Sequence, residues 1–240
     1  MKFASLVLAL PLLVGAARAQ DLCRVQSPGG QLEFLVFVSR PEPGNLFRLG
    51  YQLHYHGQPL LDTSYFGLDL HFQEPVLGEN VGLVQSKVTD QPGSRTLVAE
   101  YMQNGSLGRL LTLEVRIWDQ GLAFRYVVPR TNPTDQLLVD DEITEFHLAH
   151  PPAQMNPISA MPAVLPQPGV GFIGISEAGA PEYPRSKLAA GTSILVTKLA
   201  KRFEGATPMT FPWRIIAIGP DRDHLFDSEI VRELQSKTRP

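Results

Sequence analysis

The chain has little of what usually announces a catalyst or a cross-linked secreted fold. It contains a single cysteine, Cys23, so it cannot close an internal disulfide. There is no Gly-x-Ser-x-Gly elbow, no phosphate-binding glycine loop and no His-Glu-x-x-His helix, so the common signatures of serine hydrolases, nucleotide-binding enzymes and zinc proteases are missing. No segment keeps a helical period for more than about three turns. Among apolar runs, the one from Phe3 to Val14 is too short for a permanent membrane span, and no other stretch approaches the roughly 20 residues required.

That run belongs to MKFASLVLALPLLVGAARA, which has an early lysine, an apolar centre and Ala17 and Ala19 before Gln20. This is the three-part pattern of a cleavable secretory signal. The expectation is a leader over residues 1–19 and one domain over residues 20–240, exported to the periplasm or secreted, with no membrane anchor. The residues Gln20-Asp21-Leu22 before Cys23 lack the small side chains of a lipid-attachment box, so the cysteine reads as an incidental thiol. Loss of Lys2 and Arg18 with the leader leaves 19 basic residues against 24 acidic ones, a formal charge of −5. Such a balance argues against a nucleic-acid partner, whose phosphates demand clustered positive charge.

Short strand-like segments separated by turns fill the remainder. Gln31 to Arg40 is rich in aromatic and β-branched residues and follows the turn cluster Ser27-Pro28-Gly29-Gly30. Asn45 to His56 places Leu49, Tyr51, Leu53 and Tyr55 on one face and Gln52, His54 and His56 on the other. Further strands are predicted at 65–72, 82–88, 95–101, 110–118, 123–128, 142–148, 170–175, 193–199 and 213–218. The 21 prolines and 20 glycines are scattered, which suits many turns and argues against a helical bundle. Asp119-Gln120-Gly121 reads as a hairpin connection. Ala149 to Pro168 is the longest stretch predicted to be irregular. Leu225 to Gln235 fits either a strand or linker, or a short helix capped at Asp227-Ser228 and carrying Ile230, Val231 and Leu234. The fold class is therefore all-β, a large antiparallel sandwich or barrel.

Few side chains stand out chemically. Asp140-Asp141-Glu142 reads as a solvated acidic turn, since neighbours on a strand point to opposite faces and cannot share a cavity as a glycosidase pair does. His54 and His56 read as an exposed polar strand face rather than a metal site. In Pro212-Trp213-Arg214 the tryptophan reads as core and the arginine as surface or interface. Glu177 differs, because it follows the apolar run Gly171 to Ile175 and precedes a proline-bearing loop. A carboxylate there suits a hard cation or a sugar hydroxyl.

Five segments in order resemble a known family: Ser27 to Phe37; Tyr65 to Leu70; Asp119 to Tyr126; Ile175 to Ala178 followed by Tyr183-Pro184; and Thr210 to Arg214. Together they resemble the N-terminal domain of glycoside hydrolase family 97, bacterial enzymes acting on α-glucosides and α-galactosides. The resemblance implies a large two-sheet antiparallel β-supersandwich of the galactose mutarotase-like type, packed in full-length members against a (β/α)8 barrel that holds the catalytic carboxylates. It also implies that Glu177 corresponds to a sandwich glutamate that reaches a site shared with the barrel and helps hold calcium there. Tyr183 is expected beside it at the sugar-facing edge. Because the chain stops at Pro240, the expectation is a sandwich without the catalytic acid and base, as a truncated or split hydrolase or as a stand-alone domain. Non-catalytic carbohydrate binding is the leading reading. Two others stay open: docking of a separately encoded barrel, and an epimerase-like activity using His147 or His71 with Glu145 or Glu177.

Overall fold

The computed structural model describes residues 22–105, 108–130, 135–155, 157–227 and 229–236. The expected leader and Ser228 of the expected helix cap lie outside the described residues. In chain order the strands are β1 (Cys23–Gln26), β2 (Leu32–Ser39), β3 (Arg48–Tyr55), β4 (Gln58–Tyr65), β5 (Leu68–Leu70), β6 (Gln73–Leu77), β7 (Val81–Gln91), β8 (Ser94–Gln103), β9 (Leu110–Trp118) and β10 (Gly121–Val128). They continue as β11 (Gln136–Glu142), β12 (Glu145–His147), β13 (Ile158–Ala160), β14 (Ala163–Gln167), β15 (Gly171–Ala178), β16 (Ser186–Ala190), β17 (Ile194–Leu199), β18 (Phe203–Ala206), β19 (Met209–Thr210) and β20 (Trp213–Gly219), followed by the helix α1 (Glu229–Ser236).

One layer is an eight-stranded antiparallel sheet in the order β14-β15-β20-β10-β9-β8-β7, with β19 paired to β10. Three four-stranded sheets complete the sandwich: β1-β2-β3-β4, β18-β11-β5-β6 and β12-β17-β16-β13. A single apolar core takes residues from all four sheets, including Phe34, Val139, Phe146 and Ile216. The period-2 pattern decides which side chains enter it. Leu32, Phe34 and Val36 of β2, and Leu111, Leu113, Val115 and Ile117 of β9, are wholly buried, while the strand residues between them are half-exposed. Tyr51, Phe66 and Phe124 pack ring on ring at centroid distances of 4.6 to 5.7 Å, offset or edge-on as the aromatic quadrupole favours.

β20 is buried on both faces. Ile216 and Ile218 face the main core, whereas Trp213 and Ile215 join Trp118, Ala123, Ile230 and Leu234 in a second cluster under α1. The helical alternative for the C-terminal segment is the observed one, with Ile230 and Leu234 as its buried contacts. Among the described residues no helix is long and apolar enough to cross a membrane. The Asp119-Gln120 turn joins β9 to β10, and Gly121 is required there: its φ is +150°, and a Cβ would lie 2.2 Å from the Ile216 carbonyl oxygen. The segment 149–168, expected to be irregular, instead contains β13 and β14, both at sheet edges. Cys23 is buried in β1 and accepts the Tyr101 hydroxyl at 3.7 Å.

Candidate functional site

Glu177 does not sit in a loop. It is the penultimate residue of β15, in register with Arg214 of β20, on the inward face that also carries Ile173 and Ile175. Arg214 is 1% exposed, so the reading of it as a surface or interface residue is corrected. A charge in that position needs partners, and it has three. Its Nε and Nη2 donate to the two oxygens of Glu142 at 2.7 and 2.5 Å, its Nη1 donates to Glu177 at 2.5 Å, and Nη2 also donates to Ser186 Oγ at 2.8 Å.

Glu142 overturns the reading of residues 140–142 as a solvated turn, because it is 1% exposed at the end of β11. The fork of the guanidinium matches the carboxylate, and this bidentate pair ties the eight-stranded sheet to a strand of the opposing layer. The network continues through Thr144, which donates to Glu142 at 3.1 Å and shares a hydrogen bond of 2.5 Å with the Tyr126 hydroxyl. Asp140 and Asp141 turn outward: Asp140 pairs with His71 and Arg202, and Asp141 with Lys198. Burial disfavours the Arg214 charge, but the Glu142 carboxylate, reinforced by Glu177, more than offsets this and raises its pKa.

Glu177 keeps some access to solvent, with a side-chain exposure of 19%. Its oxygens also accept the Ser186 N–H at 3.2 and 3.3 Å. It stands on a ridge between two concavities. A cavity of about 360 Å³ on one side includes Met161, Gly179, Tyr183 and Arg185 in its wall. Another of about 570 Å³ is bounded by Ile215, Phe226 and Val231. Tyr183 lines the first of these cavities together with Glu177, but it is 6% exposed, its ring packs against Phe203 and Phe211, and among the described residues its hydroxyl has no hydrogen-bond partner. Burial, then the Glu142 carboxylate, pushes that phenol well above its usual pKa.

The epimerase set is not brought together. His71 bonds Asp140 at 2.8 Å, His147 bonds Ser193 at 3.0 Å, Glu145 pairs with Arg48 at 2.9 Å, and Glu177 is held by Arg214. Among the described residues no three His, Cys, Asp or Glu side chains group as a metal would need. Calcium takes six to eight oxygens, and here one carboxylate is already engaged by a guanidinium, so the residues present do not by themselves form a calcium site. Sequence reasoning missed Glu142 and Arg214 as a pair. The signal for Arg214 was its position in the apolar run Trp213 to Ile218, which a lone cation can enter only with a carboxylate; nothing local identified which one.

Comparison with curated protein sequences finds no match. Among solved structures, the chain is similar to a glycoside hydrolase family 97 enzyme from Pseudoalteromonas sp. strain K8, solved in complexes with acarbose and with panose. Each gives a TM-score of 0.70 at 20% identity, over 89% of this chain and 38% of that one. It is also similar to a beta-arabinopyranosidase, with a TM-score of 0.68 at 18% identity, over 82% of this chain and 40% of that one. This chain therefore spans less than half the length of those enzymes, and at such identities the likeness speaks to fold. The model of the glycosyl-hydrolase 97 N-terminal domain matches residues 25–158 and 150–236, which is most of the sequence. The chain belongs to the glycosyl-hydrolase 97 N-terminal family.

Proposed function

We infer that this chain is a non-catalytic accessory sandwich, exported to the periplasm or secreted, that contributes to carbohydrate binding beside a (β/α)8 barrel. The ligand class is α-glucosides or α-galactosides. The observation behind this reading is Glu177, a partly exposed carboxylate anchored by a buried guanidinium on the ridge between two concavities. A group held this way is oriented in advance and loses little freedom when a ligand hydroxyl donates to it. Tyr183 shapes the wall of the adjoining cavity, and the half-buried apolar side chains Phe226 and Val231 offer contact area for a docked domain. Calcium belongs to this reading only as an ion shared with the barrel, which would supply most of its oxygen ligands.

Calorimetric titration with maltose and melibiose, with and without calcium, tests the reading. The expected result is heat with at least one sugar, weakened about tenfold or more by Glu177→Gln, as loss of a charged acceptor implies. No heat with any sugar would remove stand-alone binding and leave only the role beside a barrel.

A further inference from the structure

At the other end of the sandwich lies a larger concavity, about 680 Å³, that shares no residue with the Glu177 ridge. Gly171 and Glu177 begin and nearly end the same strand, so the two places are separated by roughly 20 Å at the rise of an extended chain. Two hairpin turns of the large sheet form part of its wall, contributing Asp119 and Gln120 from one and Gly169 from the other, beside Gly171 at the start of β15. Tyr55 ends β3 of the first four-stranded sheet and Gln31 immediately precedes β2 of the same sheet, so the concavity is a cleft where the two layers meet.

We propose that this cleft is a second carbohydrate-binding site, with Tyr55 as the stacking surface and Gln31, Asp119 and Gln120 as hydroxyl-binding groups. The volume falls in the range of small-ligand sites. Gly169 has a φ of +85°, which favours glycine at this turn, and a Cβ there would meet no atom within 4 Å. Among the described residues, the carboxamides of Gln31 and Gln120 have no hydrogen-bond partner in the protein, and the same is true of the half-buried Tyr55's hydroxyl. Asp119 spends one oxygen on the Gly29 N–H at 2.8 Å, which fixes the carboxylate rather than neutralising it.

The chemistry of that set selects the ligand. No cation lines the cleft, so phosphates, sulfates and carboxylates find no counter-charge there. Carboxamides both donate and accept, a phenol does the same, and a carboxylate accepts, which matches a ligand whose hydroxyls play both roles. The Tyr55 ring is packed partly on the core and lies 4.3 Å from the His56 ring, and the part that lines the cleft offers an aromatic surface suited to the C–H face of a pyranose. A neutral oligosaccharide satisfies all these conditions. The inference shares the carbohydrate reading above but rests on different residues.

Amide NMR spectra of the full chain, titrated separately with maltotriose, cellotriose and galactobiose, decide it. The expected result is that at least one sugar shifts the amides of Gln31, Gln120, Gly169 and Gly171. Tyr55→Ala should weaken that response by about tenfold or more, as stacked aromatic contacts usually do on truncation, and Glu177→Gln should leave it unchanged. Gln120→Ala, in an exposed turn, provides a second variant if Tyr55→Ala disturbs the fold, and it should also weaken binding. Shifts confined to residues 176–185 would overturn the second site while supporting the one at Glu177. The converse pattern would do the opposite, and no shift with any of the three sugars would overturn both.

Discussion

Removing the Glu142 carboxylate would leave Arg214, a guanidinium with almost no access to water, with only Glu177 and Ser186 as partners among the described residues. Breaking a buried pair from one side typically costs about 3–5 kcal/mol, whereas replacing both partners by apolar groups of similar volume is often far less harmful. Glu142→Gln should therefore lower stability by about 3–5 kcal/mol, and the double variant Glu142→Leu/Arg214→Met should be more stable than that single one. Urea unfolding of the wild type, Glu142→Gln, Glu142→Leu, Arg214→Met and the double variant checks this; a double variant as unstable as the sum of the Glu142→Leu and Arg214→Met losses would show that the pair is uncoupled. Glu177→Gln should cost less, about 1–3 kcal/mol, because water reaches its carboxylate and Arg214 keeps its bidentate partner. The contrast between the two glutamates separates a residue whose main work is holding the layers together from one that has an oxygen to offer a ligand.

At the scale of elements, α1 and the β9–β10 hairpin give independent readouts. The chain has two tryptophans, Trp118 and Trp213, and both lie in the cluster covered by Ile230 and Leu234. Ile230→Ala should loosen the helix by about 2–5 kcal/mol and shift tryptophan emission to the red, while far-ultraviolet dichroism stays dominated by the unchanged sheets. Gly121→Ala forces a Cβ against the Ile216 carbonyl and should cost about 1–3 kcal/mol from the backbone alone, seen as a lowered melting temperature. The strands legible in the sequence were those with a full alternating face, such as β2, β3 and β9. β13 and β14 were hidden because prolines crowd the segment 149–168, and proline is tolerated where a strand has a free edge; β14, which contains Pro166, is such an edge. The site was half legible for a similar reason. Glu177 was marked by its neighbours along the chain, but its pairing with Arg214, and that of Arg214 with Glu142, depends on strand order and on the facing of two layers. Those are properties of the whole assembly.

For the molecule as a whole, the polar groups locked inside the sandwich make its stability sensitive to alkali. Tyr51, Tyr126 and Tyr183 all have their pKa values raised, first by burial, with further contributions from the Glu142 carboxylate for Tyr126 and Tyr183. Tyr51 donates to the Glu145 carbonyl at 2.5 Å, a bond that phenolate could not make. In the unfolded chain these phenols ionise near the ordinary tyrosine value of about 10. Below that pH both states hold the protons, and the full contribution to stability is present. As pH rises above it the unfolded state releases protons that the folded state retains, so stability falls progressively up to the folded-state pKa values. Each tyrosine of this kind lowers stability by about 1.4 kcal/mol per pH unit in that window. Ultraviolet titration should therefore show these three phenols silent while the near-ultraviolet dichroism of the fold persists, and then ionising together with its loss. Smooth ionisation of all six tyrosines before any structural change would contradict the buried network linking the two layers.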